Sequence, residues 1–496
     1  MNSKKVLLIN SHVRTSNISN DSMVNKYREE PYPSVGLLYL ASSLKKNNYK
    51  VFYLDIPAIL KRYDISFQND LDGFVEQIVT KAYNDFKPDL AGVSCLFSGK
   101  FPATIFICSV LKKLNKSLPV VLGGIHPTVF HEKILNRFNC VDFIIIGEGE
   151  ESFVLLLNAL FFNNISLSKI DGISYRNGRK VMVNPKSNFI HNLDSLPFPA
   201  WDILRMEDYE IEPETWQKYW HNPKRYKLKY RWPLLSSRSC PQQCNFCAVH
   251  LLQGKKMRFR TVNNCLEEIE WLYNEYGINY FSIIDDNFTL DKRRIINLAD
   301  NIRKKNLKIY IDTPNGIALK YFDKEILDAL KSMGLLRIFF AIENASDFIR
   351  NKIIGKNLSR EKIFEASELM RNEKDIFVRA FFIIGLPQET SSTLDESYNM
   401  ISQLYIDNVS VHFATPVPGT RLYEETIKNK ILLNKQQDMI FAENFHQASD
   451  IPWIKPYNLE IKELIQFRKK VENLFAQRYF SLNTSRKFPI HHLLQL

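Results

Sequence analysis

Two separate series of short apolar runs, each alternating with segments of helical period, restrict this chain to an α/β architecture. In the first series, Val6 to Ile9, Val51 to Leu54, Leu90 to Leu96, Val120 to Leu122 and Phe143 to Ile146 alternate with stretches such as Gly36 to Lys46 and Pro102 to Leu114. That order predicts a Rossmann-like, doubly wound parallel sheet over residues 1–165, with a ligand crevice at the carboxyl ends of its strands. Two turns at those ends are rich in glycine: Gly123-Gly124-Ile125-His126-Pro127-Thr128 and Gly147-Glu148-Gly149-Glu150. Glycine there lets backbone approach a bulky ligand closely, although ordinary strand-to-helix punctuation accounts for it equally well.

From about Ser166 to Tyr230 the pattern weakens into an irregular linker, and the two prolines of Pro197-Phe198-Pro199 favour extended backbone. A second series follows, with strands expected at Leu234 to Ser237, Tyr280 to Ile284, Ile309 to Asp312, Arg337 to Ile342, Phe377 to Ile384 and Val409 to Ala414. Helical patterns separate them, as in Cys265 to Tyr276, Lys292 to Lys304, Lys324 to Met333, Arg360 to Asn372 and Thr393 to Leu404. Repeated β/α units over residues 231–425 predict a partial (β/α)6 barrel of the TIM type, whose strand ends form one functional face. Residues 426–496, with helical runs such as Leu459 to Tyr479, make a helical C-terminal segment: a lid, a substrate wall or a packing element.

The chemistry is concentrated in one loop after the first strand of the second series, Ser237-Arg238-Ser239-Cys240-Pro241-Gln242-Gln243-Cys244-Asn245-Phe246-Cys247. Three thiolates at this spacing can reach three irons of a cubane cluster and leave the fourth iron without a protein ligand. The chain has 7 cysteines, an odd number, and only these lie close together, so they are not a disulfide framework. A structural zinc takes four protein ligands as a rule; His250 is the nearest fourth candidate, and its spacing is unconvincing. No signal-like apolar segment follows Lys4 and Lys5, and no run approaches the ~20 apolar residues of a membrane span. The expected compartment is therefore a reducing cytoplasm. The formal net charge of +12 suits phosphate-bearing or membrane-surface partners, or simply reflects a Lys- and Asn-rich background.

With those residues in view, the chain resembles the radical S-adenosylmethionine (SAM) enzymes. The resemblance rests on the three-cysteine loop, followed by Asp285-Asp286-Asn287-Phe288-Thr289, Ala341-Ile342-Glu343, Phe382-Ile383-Ile384-Gly385-Leu386-Pro387-Gln388-Glu389-Thr390 and Thr415-Pro416-Val417-Pro418-Gly419-Thr420. The N-terminal layout, with Pro33-Ser34-Val35-Gly36-Leu37 and the two glycine turns, is similar to the cobalamin-binding domain of one large subgroup.

The resemblance implies roles. Cys240, Cys244 and Cys247 would hold a [4Fe-4S] cluster whose open iron chelates SAM, and one electron, from a donor such as flavodoxin or ferredoxin, would release a 5′-deoxyadenosyl radical. Phe246 would flank cluster and adenine. Asp286 would accept from the SAM ammonium and Glu343 from ribose hydroxyls. Arg379 would meet either the SAM carboxylate or a buried carboxylate such as Glu343, and Gly385 and Pro387 would shape the turn under adenine. Gly123, Gly124, His126, Gly147 and Glu148 would line the corrin, which is expected to face the cluster across the substrate. The first strand ends Asn10-Ser11-His12-Val13-Arg14-Thr15, where histidine-ligating cobalamin domains carry Asp-x-His-x-x-Gly. The missing aspartate makes His12 a poor lower axial ligand, and His126 reads as a turn residue near the corrin.

The implied reaction is methyl transfer from methylcobalamin to an unactivated carbon of a small-molecule or lipid substrate, after hydrogen abstraction by the radical. A non-methylating cyclase, oxidase or ring-rearranging radical enzyme is the first competitor. The basic groups Lys224 to Arg231 and Lys255 to Arg260 raise an RNA-binding module as another, without an RNA-binding motif. A cobalamin sensor is the third, and the barrel motifs argue against it.

Overall fold

The computed structural model describes residues 3–12, 32–63, 70–211, 226–433 and 451–482, the side chains of 476–482 excepted. Val13 to Thr15, Lys224 and Arg225 lie outside the described residues. The chain divides into two compact units: one reaches Glu210 and includes Val249–Gly254, and the other comprises the remaining described residues from Ile211 on.

The first unit contains β1 (Lys5–Asn10), β2 (Lys50–Asp55), β3 (Leu90–Ser94), β4 (Val120–Gly123), β5 (Phe143–Ile145), β6 (Ile173–Asn177) and β7 (Lys180–Asn184). Its sheet runs β2-β1-β3-β4-β5-β6-β7, with β1 to β5 parallel and β6 and β7 antiparallel. Val6, Leu7, Leu8 and Ile9 of the inner strand β1 are fully buried, as a strand covered on both faces requires. Strand order reverses between β1 and β3, and that switch point is where an open α/β sheet offers its crevice. The linker expected to be irregular instead contributes the hairpin β6–β7, which extends this sheet. Its signal was weak because Arg176-Asn177-Gly178-Arg179-Lys180 interrupts two short, half-polar strands.

In the second unit, β8 (Trp232–Leu234), β11 (Tyr280–Ile283), β12 (Tyr310–Ile317), β13 (Leu335–Glu343), β14 (Phe377–Ile384) and β15 (Asn408–Phe413) form one parallel sheet in chain order, while β9 (Ser237–Arg238) and β10 (Arg258–Phe259) pair separately. β8 and β15 are the two edges, so the barrel is open. Along β14, Val378, Ala380, Phe382 and Ile384 are buried and the residues between them are half-buried, which separates a helix-covered face from the other face. Ile211, Tyr226 and Leu228 of the linker pack on Tyr280, Tyr310 and Leu336.

A charge network is buried on this sheet. The Asp312 carboxylate accepts from Arg231 (3.0 Å), Arg337 (3.0 Å), the Tyr280 hydroxyl (2.7 Å) and the Ser282 hydroxyl. Burial opposes its ionisation, but Arg231 and Arg337 outweigh burial and hold the carboxyl below its ordinary value. Asp312→Asn would remove the negative charge that these two guanidiniums share. The expected loss is about 3–5 kcal/mol in urea unfolding, against ~1 kcal/mol or less for an exposed pair such as Lys324–Asp328.

Candidate active site and cofactor-binding residues

The three-cysteine loop is rooted by a buried acid. Asp285, just beyond β11, accepts from the Ser236 amide (2.7 Å), the Ser236 hydroxyl (2.6 Å) and the Ser237 hydroxyl. Burial raises its pKa, against the Arg294 charge and these donors. Arg294 also donates to the Ser236 carbonyl at 2.9 Å. The far side of the loop is tied down by the chain after β13 and by helix Arg421–Lys428: the Asn245 amide donates to Ile354 O (2.9 Å), the Leu422 amide to Asn245 O (3.0 Å), and the Arg421 guanidinium to Gln243 O. Cys244 is buried, and Cys240, Phe246 and Cys247 are half-buried. Burial raises the Cys240 thiol and pushes Cys244 up to about 11.

These residues fit a cluster. None of the three cysteines is in a disulfide, and they sit on a loop fixed at both sides. The Asn287 amide nitrogen lies 3.6 Å from Cys240 Sγ, a donor suited to a sulfur that carries negative charge. Among the described residues no three Cys, His, Asp or Glu side chains stand as the ligand set of a single ion. A cubane instead takes each thiolate at a different iron.

Glu343 ends β13 at a register shift, with φ +71. A β-bulge re-aims a side chain, and positive φ in a residue other than glycine costs about 1–3 kcal/mol that the surroundings must offset. The offset is visible in Lys356, whose buried ammonium lies 2.7 Å from Glu343 Oε1. Arg350, fully buried, donates to the carbonyls of Asn344 (2.9 Å), Ala345 (2.8 Å) and Leu358 (2.7 Å), and so fixes the segment that carries both partners. Glu343, one of the two partners expected for Arg379, is paired with Lys356. The Arg379 guanidinium lies over the rings of Phe339 (5.4 Å) and Phe377 (5.6 Å). Asp286 is half-buried beside Cys240, whose ionisation its charge opposes.

Gly385 and Pro387 form a turn organised by Glu389. Its carboxylate accepts from the amides of Gly385 and Leu386 (3.0 Å) and from the Asn344 side chain (2.7 Å), so one buried acid joins the ends of β13 and β14. The Tyr457 amide donates to Pro387 O at 2.8 Å, and a Cβ on Gly385 would stand 3.2 Å from Leu464. The C-terminal segment thus packs on this turn, and Arg468 of its helix covers Phe413 of β15 at 5.5 Å.

In the first unit, Gly124 follows β4 with φ +109 and ψ 179, a conformation open essentially to glycine alone. A Cβ there would lie 2.5 Å from the Cys95 carbonyl oxygen, so the two strand-end turns meet backbone to backbone. Gly123 has nothing within 4 Å of the place where a Cβ would stand, so at these turns backbone is open to a close approach, which fits a bulky group such as a corrin. His126 is 2 % exposed, packed between the rings of Phe101 (4.4 Å) and Phe130 (4.8 Å), with Nδ1 on the Ser98 hydroxyl at 2.9 Å. Burial pulls its pKa down to about 3, so it is neutral, and its Nε2 is enclosed. The Gly147 amide donates to Thr128 Oγ1 (3.1 Å), and Glu148 accepts from the Ile190 amide (3.0 Å). His12 is buried at the end of β1, and the Asn10 side chain before it donates to Asp55 at 3.0 Å.

The fold and these two sets of residues define an α/β enzyme with a doubly wound unit and an open barrel bearing three thiols at a strand end. Residues 22–157 match the B12 binding domain family and residues 234–401 match the radical SAM superfamily. An uncharacterised methyltransferase of Pyrococcus horikoshii is 30% identical over 407 residues, covering 81% of this chain and 80% of that protein. The anaerobic magnesium-protoporphyrin IX monomethyl ester cyclase of Cereibacter sphaeroides is 26% identical over 399 residues, covering 79% of this chain and 60% of the cyclase. Among solved structures, the cobalamin-dependent SAM radical enzyme OxsB superposes with a TM-score of 0.69 at 16% identity, covering 99% of this chain and 74% of OxsB. The chain belongs to the radical SAM enzymes that carry a B12-binding domain. It is an enzyme of a methyltransferase-like family whose cofactors are a [4Fe-4S] cluster, SAM and cobalamin.

Sequence reasoning gave no role to Lys356, Glu389, Asn287 or Arg350. Glu389 stood inside a quoted motif, and Asn287 was next to Asp286. Burial pushes the Glu389 carboxyl from 4.5 to about 7. A buried acid with a raised pKa binds its proton in the folded state after the unfolded chain has released it, so stability falls as pH rises from about 4.5 to about 7. Glu389→Gln should flatten that slope by up to about 3 kcal/mol in urea titrations across the window, at 1.36 kcal/mol per unit.

Proposed function

We propose that this enzyme methylates an unactivated carbon of a small-molecule or lipid substrate. The observation that carries the reading is the Cys240–Cys247 loop, rooted by Asp285 at a barrel strand end, in a chain of this family. When bound, the cluster with SAM supplies a hydrogen-abstracting 5′-deoxyadenosyl radical, and cobalamin supplies the methyl group. Residues 1–165 are assigned to cobalamin and 231–425 to the radical SAM core, joined by a linker at 166–230 and followed by a helical C-terminal segment at 426–496.

Within that reading Cys240, Cys244 and Cys247 hold the cluster, and Phe246 flanks it. Asp286 accepts from the SAM ammonium. Glu343, oriented by Lys356, accepts from ribose hydroxyls, and the Gly385 to Pro387 turn, held by Glu389, supports adenine. Arg379 reaches for the SAM carboxylate. Gly123, Gly124, His126, Gly147 and Glu148 line the corrin. The chain's own work is placement: bound reactants are oriented and water is excluded from the radical. The electron comes from a donor such as flavodoxin or ferredoxin, in the cytoplasm. No described helix is long and apolar enough to cross a membrane.

The likeness to the Cereibacter sphaeroides cyclase favours one second reading, a non-methylating radical reaction. Both share the radical generator. Replacing Cys240, Cys244 and Cys247 together by alanine should reduce 5′-deoxyadenosine formation to background in anaerobic assays with SAM and a reductant. Continued formation by the variant, shown free of iron, would refute both readings.

A further inference from the structure

The three cluster thiols do not share one environment. Among the described residues, Cys240 has a side-chain donor at its sulfur: Asn287 Nδ2, 3.6 Å from Sγ. The donor is held in place. Asn287 is 1 % exposed, one residue past half-buried Asp286 and two past Asp285, whose carboxylate is fixed by Ser236 and Ser237 at the base of the cysteine loop. The strand end that supplies Asn287 and the loop that supplies Cys240 are therefore tied together, and the amide–sulfur contact is enforced by the fold. With Cys240 as a cluster ligand the amide presents its nitrogen, because turning it over would direct Oδ1, an acceptor, at a sulfur that repels it when ionised.

An N–H pointed at a cysteine sulfur stabilises negative charge there. Adding an electron to a cluster increases the charge on its thiolates, so the bond is stronger in the reduced state and the cluster is easier to reduce. Cys244 is served differently. The segment Ile354-Gly355-Lys356 packs on Gln243 to Asn245 through the Asn245 amide, and it brings the Lys356 charge, already committed to Glu343, towards Cys244. A neutral donor at one thiolate and a paired cation near another distinguish two corners of the cluster.

We propose that Asn287 is a positioning residue that raises the reduction potential of the cluster through its N–H···S bond to Cys240. The inference rests on the reading of Cys240 as a cluster ligand. It makes the corner held by Cys240 one at which a neutral side-chain donor stabilises added charge when a low-potential one-electron donor reduces the cluster. No bond is made or broken in this step; one electron passes from the donor to the cluster.

The test uses full-length protein reconstituted anaerobically with iron and sulfide, without SAM. Asn287→Leu keeps the side chain's size and removes the donor; Asn287→Asp keeps the shape and presents an acceptor. The midpoint potential is read by titration with electron paramagnetic resonance, together with iron content. Both variants should hold wild-type iron and be harder to reduce by about tenfold or more, which is about 59 mV for one electron, with the aspartate the larger effect. In wild type, amide deuteration should shift the Fe–S(Cys) stretching bands, and Asn287→Leu should reduce that shift by the part that the side-chain N–H supplies. A variant with full iron content at the wild-type potential, or both variants folded by circular dichroism yet empty of iron, would overturn the role. Cys240→Ala separates the two layers: retention of the wild-type cluster and spectrum in that variant would reject Cys240 as a ligand, whatever Asn287 does.

Discussion

An ionisable acid taken out of water must find partners at once, and three such acids hold the carboxyl end of the barrel together. Asp285 binds the serines that start the cysteine loop, Glu343 binds Lys356, and Glu389 binds the amides of the Gly385 turn and the Asn344 side chain. The Asp285–Ser236 and Glu389–Asn344 bonds join neighbouring strand ends, Lys356 folds the segment after β13 back on Glu343, and the Gly385 and Leu386 amides close their turn locally. Asn344 follows Glu343 directly and reaches Glu389, which makes the last two of these groups one network. Loss of any one acid would release the loop or turn that it holds.

The first unit uses the same logic at its switch point. Asp55, at the end of β2, accepts from Asn10 (3.0 Å), Tyr53 (2.8 Å) and Tyr209 (2.6 Å), while Lys100 donates to Ser11 O at 2.8 Å. Burial raises the Asp55 carboxyl and lowers the Lys100 ammonium. The Asn10 amide, which replaces the aspartate of histidine-ligating domains, is thus occupied in tying β1 to β2. It has a structural task that does not involve orienting His12.

How much of this could be read in the sequence followed the range of the interactions. Strands such as Val6 to Ile9 and Phe377 to Ile384 were legible because continuous or alternating burial is written into consecutive residues. The cysteine loop was legible because its spacing alone limits what it can bind. Lys356 was not: it looks like a surface lysine until Arg350 and the π-helix Phe348–Ile354 turn it back to Glu343. For the same reason Arg379, a charge on the neighbouring strand, stood out beside Glu343, whereas Lys356, beyond the strand end, did not. The hairpin Ile173–Asn184 was missed because its strands have only five residues each and do not share one burial pattern: β6 is buried over Ile173 to Tyr175, and β7 has no buried residue.

The central claim is that the radical formed at the three-cysteine loop leads to transfer of a methyl group. Anaerobically reconstituted protein with cobalamin, a reductant and cell extract as the source of substrate, given SAM deuterated in its methyl group, tests it by mass spectrometry. The account predicts a new product that carries the deuterated methyl group and accumulates together with 5′-deoxyadenosine. A product that forms with 5′-deoxyadenosine but carries no deuterium would contradict methyl transfer and leave a non-methylating radical reaction in its place.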